Sequence, residues 1–105
     1  MGYTYLWEFL VEAEDAEEFE RHYGPQGSWV ALFRQAPGYI QTLLLRDSQD
    51  PRRFITIDRW ESLEAYQRFR AAYAQQYADL DRRCEALTAR ETGLGSFVES
   101  AGGPP

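Results

Sequence analysis

Three stretches of this chain, residues 3–11, 39–46 and 53–60, alternate with a period of two. Such alternation sends successive side chains to opposite faces of a sheet. In the first stretch, Tyr3, Tyr5, Trp7, Phe9 and Val11 share one face, while Leu6 and Leu10 lie on the other. The second sets Ile40 and Leu44 against Leu43 and Leu45, and the third sets Ile55 and Ile57 against Phe54 and Trp60. A sheet face open to water would be polar. A chain of this kind therefore needs a sheet that is covered on both faces.

The intervening segments have helical spacing. Asp15, with Glu18 three residues on, has the pattern of a capping box before a short helix at 16–23. Gly24-Pro25-Gln26-Gly27 ends that helix, and Ser28 is placed to cap a second piece carrying Trp29, Leu32, Phe33 and Ala36. Pro37-Gly38 stops the second piece. DSQDP at 47–51 is a turn between two strands. Ser62 is the expected cap of the next helix. From Glu61 to Thr92 the chain has no Gly or Pro, and Leu63, Tyr66, Phe69, Tyr73, Tyr77, Leu80, Cys84 and Leu87 keep a 3-to-4 spacing. This predicts one long helix, or two with a bend near 72–76, followed by a last strand at 94–100. The order is strand, helix, strand, strand, helix, strand. It predicts an α+β, ferredoxin-like split βαβ fold with a four-stranded antiparallel sheet and helices on one face. One chain has helices for only one face, so the cheapest cover for the other is a second copy. The expected assembly is a homodimer with sheets back to back.

Length and charge narrow the function classes. A chain of 105 residues fits one domain, here 1–100, with AGGPP at 101–105 as a disordered tail. A net charge of −6 argues against nucleic acid and against anionic membrane surfaces, both of which need a basic patch. No apolar run approaches the roughly 18 residues of a membrane helix, and the expected location is the cytoplasm. A single cysteine, Cys84, permits no internal disulfide and lies on the apolar stripe of a helix.

Four short runs carry a resemblance to a known family. They are PGY (37–39) opening a strand, DPRRF (50–54), Trp60 ending the next strand, and ESLEAY (61–66) entering a helix. Together they resemble the antibiotic biosynthesis monooxygenase family of the dimeric α/β-barrel superfamily. The resemblance implies a dimeric barrel and, in each subunit, a pocket between sheet and helices that Trp60 faces. From the residues alone, Trp60 is either that pocket's wall or core filler. The family includes cofactor-free oxygenases that make quinones from polycyclic phenols, as well as heme-degrading enzymes. In the heme-degrading relatives a His nine residues beyond this Trp binds iron. Here that position is Phe69, and the only His in the chain, His22, lies on the first helix.

The resemblance implies a cofactor-independent monooxygenase acting on an aromatic or polycyclic small molecule. The alternatives are a non-catalytic homodimer that binds a small hydrophobic ligand and, third, a heme-binding or heme-degrading protein. No cofactor and no metal is expected, since metal sites use several His or Cys. The expected ligand-binding residues are Trp60, Tyr66, Phe69, Tyr73, Trp29 and Phe33. Trp60 would stack on the substrate, and the hydroxyls of Tyr66 and Tyr73, two turns apart, would hold a substrate oxygen. Asp58 shares the Trp60 face. If it lies inside, its pKa rises and it is the candidate base; if it points to an Arg at the dimer interface, it is only a salt bridge. The candidate catalytic residues are therefore Trp60 and Asp58.

Overall fold

The expected strands form and pair into one sheet, with two interruptions in the alternation that decide which side chains meet. The computed structural model of the chain describes residues 2–100, so the tail expected at 101–105 lies outside the described residues. The strands are β1 (Tyr3–Leu10), β2 (Tyr39–Arg46), β3 (Arg53–Trp60) and β4 (Arg90–Val98), in the order β2-β3-β1-β4, with every neighbouring pair antiparallel. The helices are α1 (Ala16–Tyr23), α2 (Ser28–Phe33), α3 (Leu63–Ala72) and α4 (Ala74–Cys84). This is the ferredoxin-like α+β arrangement.

β3 obeys the period of two throughout. Phe54, Thr56, Asp58 and Trp60 are buried under the helices, while Arg53, Ile55, Ile57 and Arg59 are half-buried on the outer face. Tyr3, Tyr5, Trp7 and Phe9 of β1 stand opposite Trp60, Asp58, Thr56 and Phe54. Two bulges break the pattern elsewhere. In β2 the register shifts between Tyr39 and Gln41, so Ile40 is an extra residue. Tyr39 then joins Thr42 and Leu44 on the helix face, and Ile40 is exposed. In β4, Trp7 pairs with Gly93 and Leu6 with Gly95, which leaves Leu94 as the extra residue. Gly95, at φ +132, takes the left-handed conformation that glycine accepts without strain.

The helix caps differ from the sequence expectation in two of three cases. Ser62 does cap: its Oγ accepts from the Ala65 amide at 3.0 Å. Asp15 makes no cap bond, because a 3-10 turn at Ala13–Asp15 already carries the chain into α1. Glu18 instead pairs with Arg21 and lies 3.4 Å from His22. Ser28 sits one residue inside α2, behind Gly27, and its hydroxyl bonds His22 Nδ1 at 2.8 Å.

The long helical segment bends where expected and stops earlier than expected. Tyr73, at φ −115 and ψ 27, separates α3 from α4. After Cys84 a 3-10 turn, Glu85–Leu87, closes the helix, and β4 starts at Arg90 rather than near 94. Pairing decides this: Arg90, Glu91 and Thr92 join the β1 ladder opposite Leu10, Phe9 and Glu8. No local Gly or Pro announces the end. Gly38 has a clear structural need. Its φ is +95, and a Cβ there would fall 2.5 Å from the Ala65 Cβ of α3. The PGY run thus lets the start of β2 lie against the start of α3.

Candidate active site

Between the helix face of the sheet and the helices lies a cavity of about 180 Å³. Its floor is Tyr5 and Phe9 of β1, Thr42 of β2, and Thr56 and Asp58 of β3. Tyr23, Trp29 and Phe33, from α1 and α2, form the roof. At the mouth stand Trp7, Tyr77, Asp81 and Glu91. Trp7, Asp81 and Glu91 are exposed, so this side meets solvent. A Cβ at Gly93 would lie 3.7 Å from the Trp7 indole, in ordinary van der Waals contact with the ring. None of the lining residues is basic.

Asp58 is the chemically distinctive group. It is 5% exposed, and burial pushes its carboxyl up to about 6, against the opposing pull of hydrogen bonds from Thr42 and Tyr5. Thr42 Oγ1 donates to Asp58 Oδ1 at 2.5 Å and accepts from the Tyr39 hydroxyl at 2.7 Å. Tyr5 stands directly across from Asp58 in the β1–β3 ladder. Burial, and then the Asp58 charge, raise the Tyr5 hydroxyl well above its ordinary value, so it keeps its proton and serves as a donor. At the mouth, Tyr77 is pushed up to about 12, chiefly by burial, with the Arg70 guanidinium 3.9 Å from its ring centroid. Burial also raises the Glu91 carboxyl, and the nearby Asp81 charge adds to that.

The residues expected to line a pocket separate into two groups. Trp29 and Phe33 line the cavity, and so does Asp58. Trp60, Tyr66, Phe69 and Tyr73 do not; they form a layer behind its wall. Trp60 is 0% exposed, with Phe69, Tyr39, Tyr66 and Phe33 ring centroids at 5.0, 5.4, 5.6 and 5.9 Å. Of the two roles open to Trp60, the structure gives it core filler. Its indole N–H lies beside the Tyr5 hydroxyl without completing a well-formed hydrogen bond. The Tyr66 hydroxyl is taken by Arg70 at 3.0 Å, and the Tyr73 hydroxyl donates to the Gln35 carbonyl at 3.2 Å. Tyr73 has thus used its proton, whereas Tyr66 only accepts from Arg70 and keeps its own; neither residue lines the cavity, so neither meets a ligand there. Tyr77, one turn beyond Tyr73, supplies the aromatic wall instead.

Sequence reasoning missed Tyr5, Trp7, Phe9, Tyr23, Thr42, Thr56, Tyr77, Asp81 and Glu91 as lining residues. The signal for the first three was present, since they share the period-2 face with the strand that Asp58 joins. Thr42 and Thr56 carried none, because a lone Thr in a strand reads as ordinary strand composition. His22 on α1 bonds Ser28 of α2, has Glu18 3.4 Å away, and does not line the cavity. Among the described residues, no three His, Cys, Asp or Glu side chains gather to hold a metal ion.

The family model for antibiotic biosynthesis monooxygenases matches residues 3–79. The chain belongs to the antibiotic biosynthesis monooxygenase family. The matched span of this family member holds Tyr5, Thr42 and Asp58, whereas Asp81 and Glu91 at the mouth lie beyond it. Solved structures share the fold. A mutant of SnoaB, a cofactor-independent oxygenase from Streptomyces nogalater, superposes with a TM-score of 0.80 at 23% identity, over 99% of this chain and 98% of its own. PA3566 from Pseudomonas aeruginosa gives 0.71 at 23% identity, with 95% of each chain covered. A conserved protein from Methanosarcina mazei Go1 gives 0.72 at 9% identity, over 95% of this chain and 94% of its own. No curated protein matches this family member at a significant level.

Proposed function

We propose that this family member is a cofactor-independent oxygenase that oxidises a small, uncharged aromatic carrying an acidic C–H or phenolic O–H. The observation that carries the reading is a buried carboxylate of raised basicity, Asp58, on the floor of an aromatic-walled cavity. Membership of a family that contains such oxygenases supports it. Seven aromatic rings line the cavity, from Tyr5, Trp7, Phe9, Tyr23, Trp29, Phe33 and Tyr77, and suit a flat ligand. With Asp58, Asp81 and Glu91 around it and no basic side chain, an anionic ligand would be repelled.

The volume limits what is held inside. A dry cavity of roughly 150 Å³ accommodates benzene, whereas drug-sized ligands occupy roughly 300 Å³ or more. At about 180 Å³ this one encloses a single ring, and further fused rings extend past Trp7. In the proposed reaction Asp58 takes a proton from the substrate. Protonation of Asp58 releases the Tyr5 hydroxyl from it. The buried indole N–H of Trp29 lies beside Tyr23 and Cys84 without a well-formed hydrogen bond. Tyr5 and Trp29 then donate to the oxygen on which charge develops. The anion then gives up electrons to O₂. For an activated methylene the balance is CH₂ plus O₂ giving C=O plus H₂O: one oxygen atom enters the product, and the other leaves as water with both hydrogens.

Anthrone is the probe. Oxygen uptake by the wild type, reduced about 100-fold or more in Asp58→Asn, is the expected result. Absence of uptake by the wild type, with tryptophan fluorescence still quenched by the ligand, would replace the oxygenase with a binding protein. The same proposal includes a homodimer joined through the outer sheet face and acting in the cytoplasm. The support is that Leu43, Leu45 and Phe97 are exposed there beside half-buried Leu6, Ile55 and Ile57.

A further inference from the structure

The hydrogen bonds of Asp58 continue past Thr42. Tyr39 donates to Thr42, and Thr42 donates to Asp58, so three side chains form one line. Asp58 and Thr42 line the cavity, but Tyr39 does not. Its half-buried ring sits between Phe33 and Trp60, at 5.6 and 5.4 Å, and its hydroxyl feels the charge of the exposed Arg34. The line therefore starts on the cavity floor and ends outside the cavity, on a half-buried side chain near the exposed Arg34. The bulge at Ile40 makes it possible. Three residues apart on a regular strand, Tyr39 and Thr42 would point to opposite faces; the extra residue puts both on the helix face.

We propose that Thr42 and Tyr39 are the path by which Asp58 returns its proton to solvent. The proposal rests on the oxygenase reading. A base 5% exposed, with a ligand across the open side of its cavity, has no direct contact with bulk water while the reaction proceeds. After Asp58 takes the substrate proton, its Oδ1–H passes a proton to Thr42 Oγ1. Thr42 passes its own hydroxyl proton to Tyr39, and Tyr39 releases its proton outward. One proton enters the line and one leaves, and no electrons move. At rest both O–H bonds point toward the carboxylate, so protonation of Asp58 first turns the two hydroxyls outward, and the transfer itself restores the resting direction. Thr42 and Tyr39 act through Asp58 and are positioning residues, not catalytic ones.

The experiment separates proton transfer from oxidation. Anthrone is incubated with the protein in D₂O without oxygen, and loss of its methylene hydrogens is followed by proton NMR. Oxygen uptake is measured in parallel. When the line is broken, the abstracted proton returns to the same carbon and exchange slows, although binding is intact. Thr42→Val and Tyr39→Phe are expected to slow exchange about tenfold or more, while Thr42→Ser stays within about twofold of the wild type. Ligand quenching of tryptophan fluorescence and the urea midpoint check that each variant binds and folds. Exchange at the wild-type rate in folded Thr42→Val and Tyr39→Phe overturns the proposal, whatever the oxygen electrode shows. If the wild type exchanges but consumes no oxygen, the oxygenase reading fails and the variants still decide the relay. If the wild type does neither, both fall.

Discussion

A carboxylate under the helices, titrating near 6, weakens the fold at the pH where it is most useful as a base. The sign follows from linkage. The Asp58 pKa is higher in the folded chain than in the unfolded one, so between about 4 and 6 the native state binds more protons. Its contribution to stability is greatest below that window and is lost as pH rises through it. Two units correspond to about 3 kcal/mol as an order of magnitude. Urea denaturation of the wild type from pH 4 to 7 should contain this downward component, and Asp58→Asn should lack it. Identical pH dependence in the two proteins would mean that the carboxyl is not buried as described. Activity runs the other way, because only the ionised form accepts a proton; kcat/KM for anthrone should rise with an apparent pKa near 6. At this scale strand alternation alone put Asp58 on the face of Trp60, which is the buried one. The sequence set Trp60 among the ligand-binding residues with core filler as the other reading, because an indole at a strand end fits both, and only its neighbours Phe33, Tyr39 and Phe69 separate the two.

Capping shows where local sequence and local structure part. Ser62 precedes α3 in extended geometry, and its side chain bonds the Ala65 amide. Asp15 has the same sequence signature but follows a 3-10 turn, already in helical geometry, and caps nothing. Ser62→Ala should therefore cost about 1 kcal/mol in denaturation experiments, whereas Asp15→Ala should change stability by less than about 0.5 kcal/mol. Equal losses would contradict this assignment. The end of α4 has the same lesson. Helical spacing continues to Leu87, yet Arg90–Thr92 joins β1, and the ladder outweighs a weak helical propensity that no breaker opposes.

For the whole molecule the outer sheet face is the distinctive surface, because it exposes large apolar side chains. Leu43 is 41% exposed and Leu45 47% exposed, side by side with Ile57 and Ile55 across the strand pair. Ion pairs lie around this patch, Arg53 with Glu8 and Arg59 with Glu99. If the patch joins two copies, sedimentation equilibrium should give about twice the 12.2 kDa of one chain. Leu43→Glu, which sets like charges near the centre of the interface, should yield the single-chain mass with the helix content retained. A wild type sedimenting as one chain would remove the dimer.

Local sequence was enough for the order of elements, the faces of β3 and the aromatic character of the interior, and it narrowed the alternative of a helix bend to 72–76. All of these follow from periodicities that a chain carries locally. The two bulges, the early start of β4 and the retreat of Trp60 behind the cavity wall came from long-range packing. Each depends on which strand or ring lies opposite, and one inserted residue in a ladder reverses the facing of the side chains on one side of it. The extra Ile40 is what brings Tyr39 beside Thr42 and so onto the line that reaches Asp58.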